Sequence, residues 1–129
     1  MKILKLGFTL PLILVGLIGC SGSSNSGTYV DVSGVWNGSW VSSRGQSGGL
    51  SASFTQDAGT FSGSATIGNS VCFGKEFATG KLNGSGVEIG VSSGAILFNG
   101  TVSGSTISGT YGVSGTGCSG DVGTFVLRR

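Results

Sequence analysis

The chain has 129 residues, with seven Lys or Arg against five Asp or Glu, no histidine, 27 glycines and one proline. The lack of histidine excludes histidine-based catalytic triads and histidine metal sites. A net charge of +2 offers no basic face for nucleic acid, and the length suits one domain.

Lys2 and Lys5 give the chain a positive start, and residues 6–18 are apolar apart from Gly7, Thr9, Pro11 and Gly16. Leu17-Ile18-Gly19-Cys20 follows, and then the small polar run Ser21-Gly22-Ser23-Ser24-Asn25-Ser26-Gly27. A basic start, a short apolar core and a small residue at its end form an export signal. The apolar run is shorter than the roughly 20 residues of a spanning helix. Leu17-Ile18-Gly19-Cys20 resembles the lipobox of bacterial lipoproteins. The resemblance implies cleavage before Cys20, lipidation of its thiol (diacylglycerol, palmitate) and a lipid-anchored place in the cell envelope. Ser21 is not aspartate, which in that family favours the outer membrane where the host has one, and otherwise the outer face of the plasma membrane. Several acyl chains anchor firmly where one binds only marginally. The chain then divides into a signal peptide over 1–19, a lipidated Gly/Ser-rich tether over 20–32 and a folded domain over 33–129. Lys2 and Lys5 leave with the signal. Arg44, Lys75, Lys81, Arg128 and Arg129 then balance Asp31, Asp57, Glu76, Glu88 and Asp121.

Beyond the signal, apolar residues alternate with polar ones between turn signals, a period of two that predicts strands and no helix. The expected strands cover 33–42, 48–56, 60–67, 75–82, 86–91, 95–102, 106–113 and 122–128. The alternation is clearest in Leu50/Ala52/Phe54, Val87/Ile89/Val91, Ile96/Phe98/Val102 and Ile107/Tyr111/Val113. Asp57-Ala58-Gly59, Asn83-Gly84, Ser93-Gly94 and Ser103-Gly104-Ser105 supply the hairpin turns, where positive φ is needed. Short connections imply an antiparallel meander. The expected fold is all-β, a small eight-stranded up-and-down barrel, with a β-sandwich as the alternative. Closure removes both sheet edges. Glycines inside strands (Gly38, Gly63, Gly90, Gly100, Gly109, Gly112) suit a strongly coiled sheet.

A half-repeat runs at a spacing of 46. Thr60-Phe61-Ser62-Gly63-Ser64-Ala65 matches Thr106-Ile107-Ser108-Gly109-Thr110-Tyr111, Leu50 matches Ile96, and Cys72 falls on Cys118. The correspondence fails at Trp36-Asn37-Gly38, whose partner segment is a turn. With Cys20 assigned to lipid, Cys72 and Cys118 remain as an even pair in an oxidising compartment, which reads as a disulfide. Each follows the third strand of its half, placing both near one rim. Two cysteines without histidine do not complete a zinc site.

No catalytic constellation is present, and no cofactor is implied. Glu76 and Glu88 are the one carboxylate pair expected on adjacent strands, near Lys75 and Lys81, and they read as surface charge rather than as a glycosidase pair. The glycine clusters 45–49 and 112–123 lack the helix or lysine of a phosphate cradle. Trp36 and Trp40 share one face of the first strand, with Gly38 between them giving the indoles room. As a pair they are expected to close one end of the barrel or to touch a ligand, and Tyr111 and Arg128 are further candidates for either role. Gly34-Val35-Trp36 resembles the opening of the calycins, the lipocalin- and avidin-like barrels. In that family an arginine of the last strand packs over the indole, a role the resemblance offers to Arg128 or Arg129. Phe54, Phe61, Phe77, Phe98, Tyr111 and Phe125 are expected to fill the interior.

The expected function is that of a membrane-anchored envelope lipoprotein whose non-catalytic barrel binds a small apolar ligand or an envelope protein. The alternative is an inhibitor or assembly partner acting through its loops.

Overall fold

The computed structural model describes residues 29–115 and 117–129. The signal segment and Cys20 lie outside the described residues. Eight strands follow in order: β1 (Gly34–Ser42), β2 (Ser47–Asp57), β3 (Thr60–Ile67), β4 (Lys75–Asn83), β5 (Gly86–Val91), β6 (Ile96–Ser103), β7 (Thr106–Val113) and β8 (Val122–Arg128). Each pairs antiparallel with the next, and β8 returns to β1 to close the barrel. The expected strands are all present, with ends shifted by at most one residue.

Period-two alternation becomes a filled interior. Leu50, Ala52 and Phe54 on β2, Val87, Ile89 and Val91 on β5, and Ile107, Tyr111 and Val113 on β7 are all buried. A one-residue slip would turn each set to solvent, so the pattern fixes the register. At mid-barrel the rings interlock edge to face, Phe54 with Phe61 at 4.8 Å and Phe98 with Phe125 at 5.0 Å between centroids. Eight strands give a bore that side chains just fill. A void there, lined by Leu50, Phe98 and Leu127 among others, has about 10 Å³. That is room for a single water at most, in apolar surroundings that give it no partner.

One expectation about the interior needs correction, and another needs refining. Phe77 lies on the outer wall of β4 and is 65% exposed. Its neighbours Glu76 and Ala78 hold the inward parity, so the aromatic ring is on the wrong face to fill the core. Gly38 is constrained first by the neighbouring strand, ahead of any room it gives the indoles. A Cβ there would sit 1.8 Å from the backbone oxygen of Val126 on β8, so the glycine admits the neighbouring strand itself. Gly109 does the same at 2.0 Å from the Asn99 oxygen, whereas Gly90 and Gly112 point outward and meet nothing closer than 3.8 Å. The strand glycines are therefore of two kinds, and only the inward ones hold the coil.

The rims differ. One carries the two-residue turns 58–59, 84–85 and 104–105 together with both termini of the described domain, and the other carries the longer connections 43–46, 68–74, 92–95 and 114–121. Residues 30–32, expected to belong to a free tether, are packed across the turn rim. Val32 is fully buried, Val30 packs against the core, and the Gln56 amide donates to Val30 O while accepting from Val32 N. The folded unit thus begins ahead of residue 33.

Gly38→Ala is expected to destabilise the barrel by about 1–3 kcal/mol, since the carbonyl it meets belongs to the closing ladder. Gly112→Ala is expected to be neutral or stabilising by up to about 1 kcal/mol. Urea unfolding midpoints of the two variants check the contrast; equal midpoints would refute the division of the glycines.

Candidate functional site: the strapped rim

The loops 68–74 and 114–121 leave the ring four strands apart, from opposite sides of the barrel, and meet over its mouth. Cys72 and Cys118 join them in a disulfide, with Cα atoms 6.2 Å apart. The half-repeat explains the geometry. Matched cysteines in a two-fold-like ring fall on opposite walls of the same rim, so a bond between them must run across the opening. Inside the 68–74 loop, Ser70 Oγ accepts from the backbone N–H groups of Cys72 and Phe73, and Asn69 Nδ2 donates to Ser47 O. These bonds shape the loop so that Phe73 packs inward against the core while Val71 stands 91% exposed.

Beneath the strap lies a half-open cavity of about 50 Å³, lined by Trp40, Phe73, Phe98, Tyr111 and Asp121 among others. Trp40 meets Tyr111 edge to face at 6.3 Å, and its indole N–H donates to Gly68 O. Asp121 is the acid of the site. Its carboxylate accepts the buried Ser42 hydroxyl at 2.5 Å and the Tyr111 hydroxyl at 3.1 Å. Ser42 Oγ in turn accepts from Arg44 N, tying the 43–46 loop into the same network. Burial first, and then the negative charge of Asp121, pushes the Tyr111 phenol up to about 12, so it remains a neutral donor.

At the turn rim the residues form a plug. Trp36 is fully buried and its N–H donates to Val32 O. Arg129 lies 4.4 Å over the indole and donates to Ser33 O and Asp31 O, both at 2.6 Å. Of the two arginines the resemblance offers for this contact, Arg128 sits at an exposed position between Asn37 and Thr106 in the ladders. Strand alternation turns residue 128 outward, so the last residue makes the contact. Trp36 and Trp40 do share the inward face, but they do not close one end together. Four residues of strand separate them by about 13 Å, which places one at each rim.

Glu76 and Glu88 are not brought together. Lys81 faces Glu88 across β4 and β5 and pairs with it at 3.5 Å on the surface, while Glu76 Oε2 accepts from Gly74 N beside the strap. Five residues of strand, about 17 Å, separate their levels, well past the roughly 9.5 Å limit of a glycosidase pair. What sequence reasoning missed is the Ser42–Asp121–Tyr111 network. Its members come from β1, the last loop and β7, and no local motif marks them.

Compared with known protein families, curated proteins and solved structures, the chain matches none.

Two expectations follow from the site. Alkylation under denaturing, non-reducing conditions should label neither Cys72 nor Cys118. Replacing both with serine should lower stability by about 4 kcal/mol, the chain-entropy value for a closed loop with the observed separation of 46; labelling at both thiols would refute the bond. The raised Tyr111 phenol gives a pH signature. The folded state keeps a proton that the unfolded chain releases near 10, so stability is full below about pH 10 and falls toward about 12. Thermal unfolding should show that alkaline slope in the wild type and a weaker one in Tyr111→Phe.

Proposed function

We propose that this chain is a lipid-anchored cell-envelope protein whose barrel is a non-catalytic binding module, engaging an envelope protein through its strapped rim. The observation that carries the reading is the disulfide laid across the mouth. It fixes two loops from opposite walls, the arrangement that makes loops a pre-organised contact surface rather than mobile connections. Exposed apolar side chains gather toward the same rim. Val71 lies in the strap, and Val41, Phe77, Leu97 and Val122 lie within three residues of a rim loop; Val35 and Tyr29 lie toward the other.

Volume argues against an engulfed apolar ligand. Sites for such molecules run to about 300–1,000 Å³, whereas the mid-barrel void is about 10 Å³ and the mouth cavity about 50 Å³. The anchor follows from Leu17-Ile18-Gly19-Cys20 and its place after the apolar run, and the calycin likeness now leans on the Arg129–Trp36 contact.

Cells producing the full chain should incorporate a palmitate analogue into the wild type and not into Cys20→Ala, and only the wild type should sediment with membranes. A photo-crosslinker at Val71 should yield a discrete envelope-protein adduct that one at Val35 does not. Absence of label at Cys20 would sink the anchor, and equal adducts from both positions would sink the rim.

A further inference from the structure

We propose that the cavity beneath the strap binds a small ammonium group, held by the rings of Trp40, Phe73, Phe98 and Tyr111 and by the carboxylate of Asp121. The inference rests on the reading of the strapped rim as the working surface and names the chemistry which that surface selects.

Three observations converge. The first is charge. Asp121 stands at the cavity wall and accepts two hydroxyl hydrogen bonds, from Ser42 and Tyr111. Among the described residues no Lys or Arg forms an ion pair with it; the ion pair present is Lys81–Glu88, on the outer wall, and Arg44 runs beside Gly120 without closing on the carboxylate. The hydroxyls orient the acid and bring no positive charge within ion-pair distance of it, so an added cation gains more there than an anion or a neutral group. The second is the lining. Aromatic faces carry negative potential, and their attraction for ammonium groups grows as the cation loses water. Trp40, Phe98 and Tyr111 are nearly fully buried and pack against one another, Trp40 to Tyr111 at 6.3 Å and Phe98 to Tyr111 at 5.7 Å, so the rings are held in place before any ligand arrives. The third is size. About 50 Å³ holds three to five water-sized groups, at roughly 10–15 Å³ each. That admits the end of an alkylammonium chain or a methylated ammonium and excludes a whole lipid or sugar. The same chemistry is offered by a lysine side chain of a protein and by a choline headgroup.

The test uses the full chain in a maltoside detergent, titrated with n-butylammonium, with choline and with 3,3-dimethylbutan-1-ol, the uncharged counterpart of choline. Tryptophan fluorescence and the indole proton resonance of Trp40 report occupancy. Expected are saturable shifts for at least one cation, and affinity for the uncharged alcohol lower by about tenfold or more. Preference for n-butylammonium points to a lysine source, and preference for choline to a headgroup. Asp121→Asn should weaken the cation by about tenfold and leave the alcohol unchanged. If that variant does not fold, the cation-to-alcohol ratio in the wild type decides alone. Equal affinity for choline and its uncharged counterpart overturns the proposal, as does the absence of any shift with either cation up to about 0.1 M. Because the crosslinking contrast between Val71 and Val35 does not depend on this cavity, it can hold while the ammonium site fails, and the two readings are separable.

Discussion

A meander of eight strands satisfies every backbone hydrogen bond except along the outer edges of its first and last members. The ladder between β1 and β8 removes those edges, and its six residue pairs run from Asn37–Arg128 to Ser42–Gly123. Closure needs the strands to tilt and coil, and the coil brings backbone onto backbone where Gly38 meets Val126. A side chain at that point would hold β8 away from β1 and leave two open edges in a chain whose surface carries few charges to protect them. The buried core follows from this contact, because an opened sheet of these strands would expose the inward face of each.

Closure also decides where function can reside. With side chains filling the bore to a void of about 10 Å³, the interior is structural and only the rims remain. The turn rim is consumed by its own plug: Trp36 under Arg129, Val32 beneath the indole N–H, and Gln56 clamping residues 30–32. The loop rim is not consumed in this way. Its connections are long enough to span the mouth, the disulfide holds two of them there, and the cavity below retains an oriented carboxylate.

Much of the barrel was legible in the sequence because alternation and turn chemistry are local signals. The strand from Thr60 to Ile67 and the one from Thr106 to Val113 could be read to the residue, since Gly-rich turns bound both and the half-repeat aligns them. The cysteine pairing was legible for a different reason, an even count at the repeat offset. The failures share a cause too. Phe77, Val32 and the choice between Arg128 and Arg129 depend on which face or which rim a residue meets. That is set by parity and by chain ends, where a reading shifted by one residue reverses the answer. The role of Gly38 was hidden because its contact lies 88 residues away on β8. Asp121 was visible only as one carboxylate among five. Its partners Ser42 and Tyr111 lie 79 and 10 residues away in the chain, and nothing short of the closed ring brings all three to one rim.

The two rims also differ in what holds them, and the difference has a direction. At the turn rim the contacts are Arg129 and Gln56 clasping main chain, which ties the described N-terminal segment to the barrel where β1 begins. Under the proposed anchoring, the chain from Cys20 joins the barrel there, and the strapped rim lies at the opposite end, a strand length away. A strand of eight residues rises about 26 Å, somewhat less when tilted. The disulfide therefore stiffens the end that the tether does not reach. A surface meant to meet a partner gains from rigid loops, since ordering them on contact would weaken the bond, whereas the tethered end needs only to resist fraying. The covalent staple at one rim and the clasp of hydrogen bonds at the other match that division of labour.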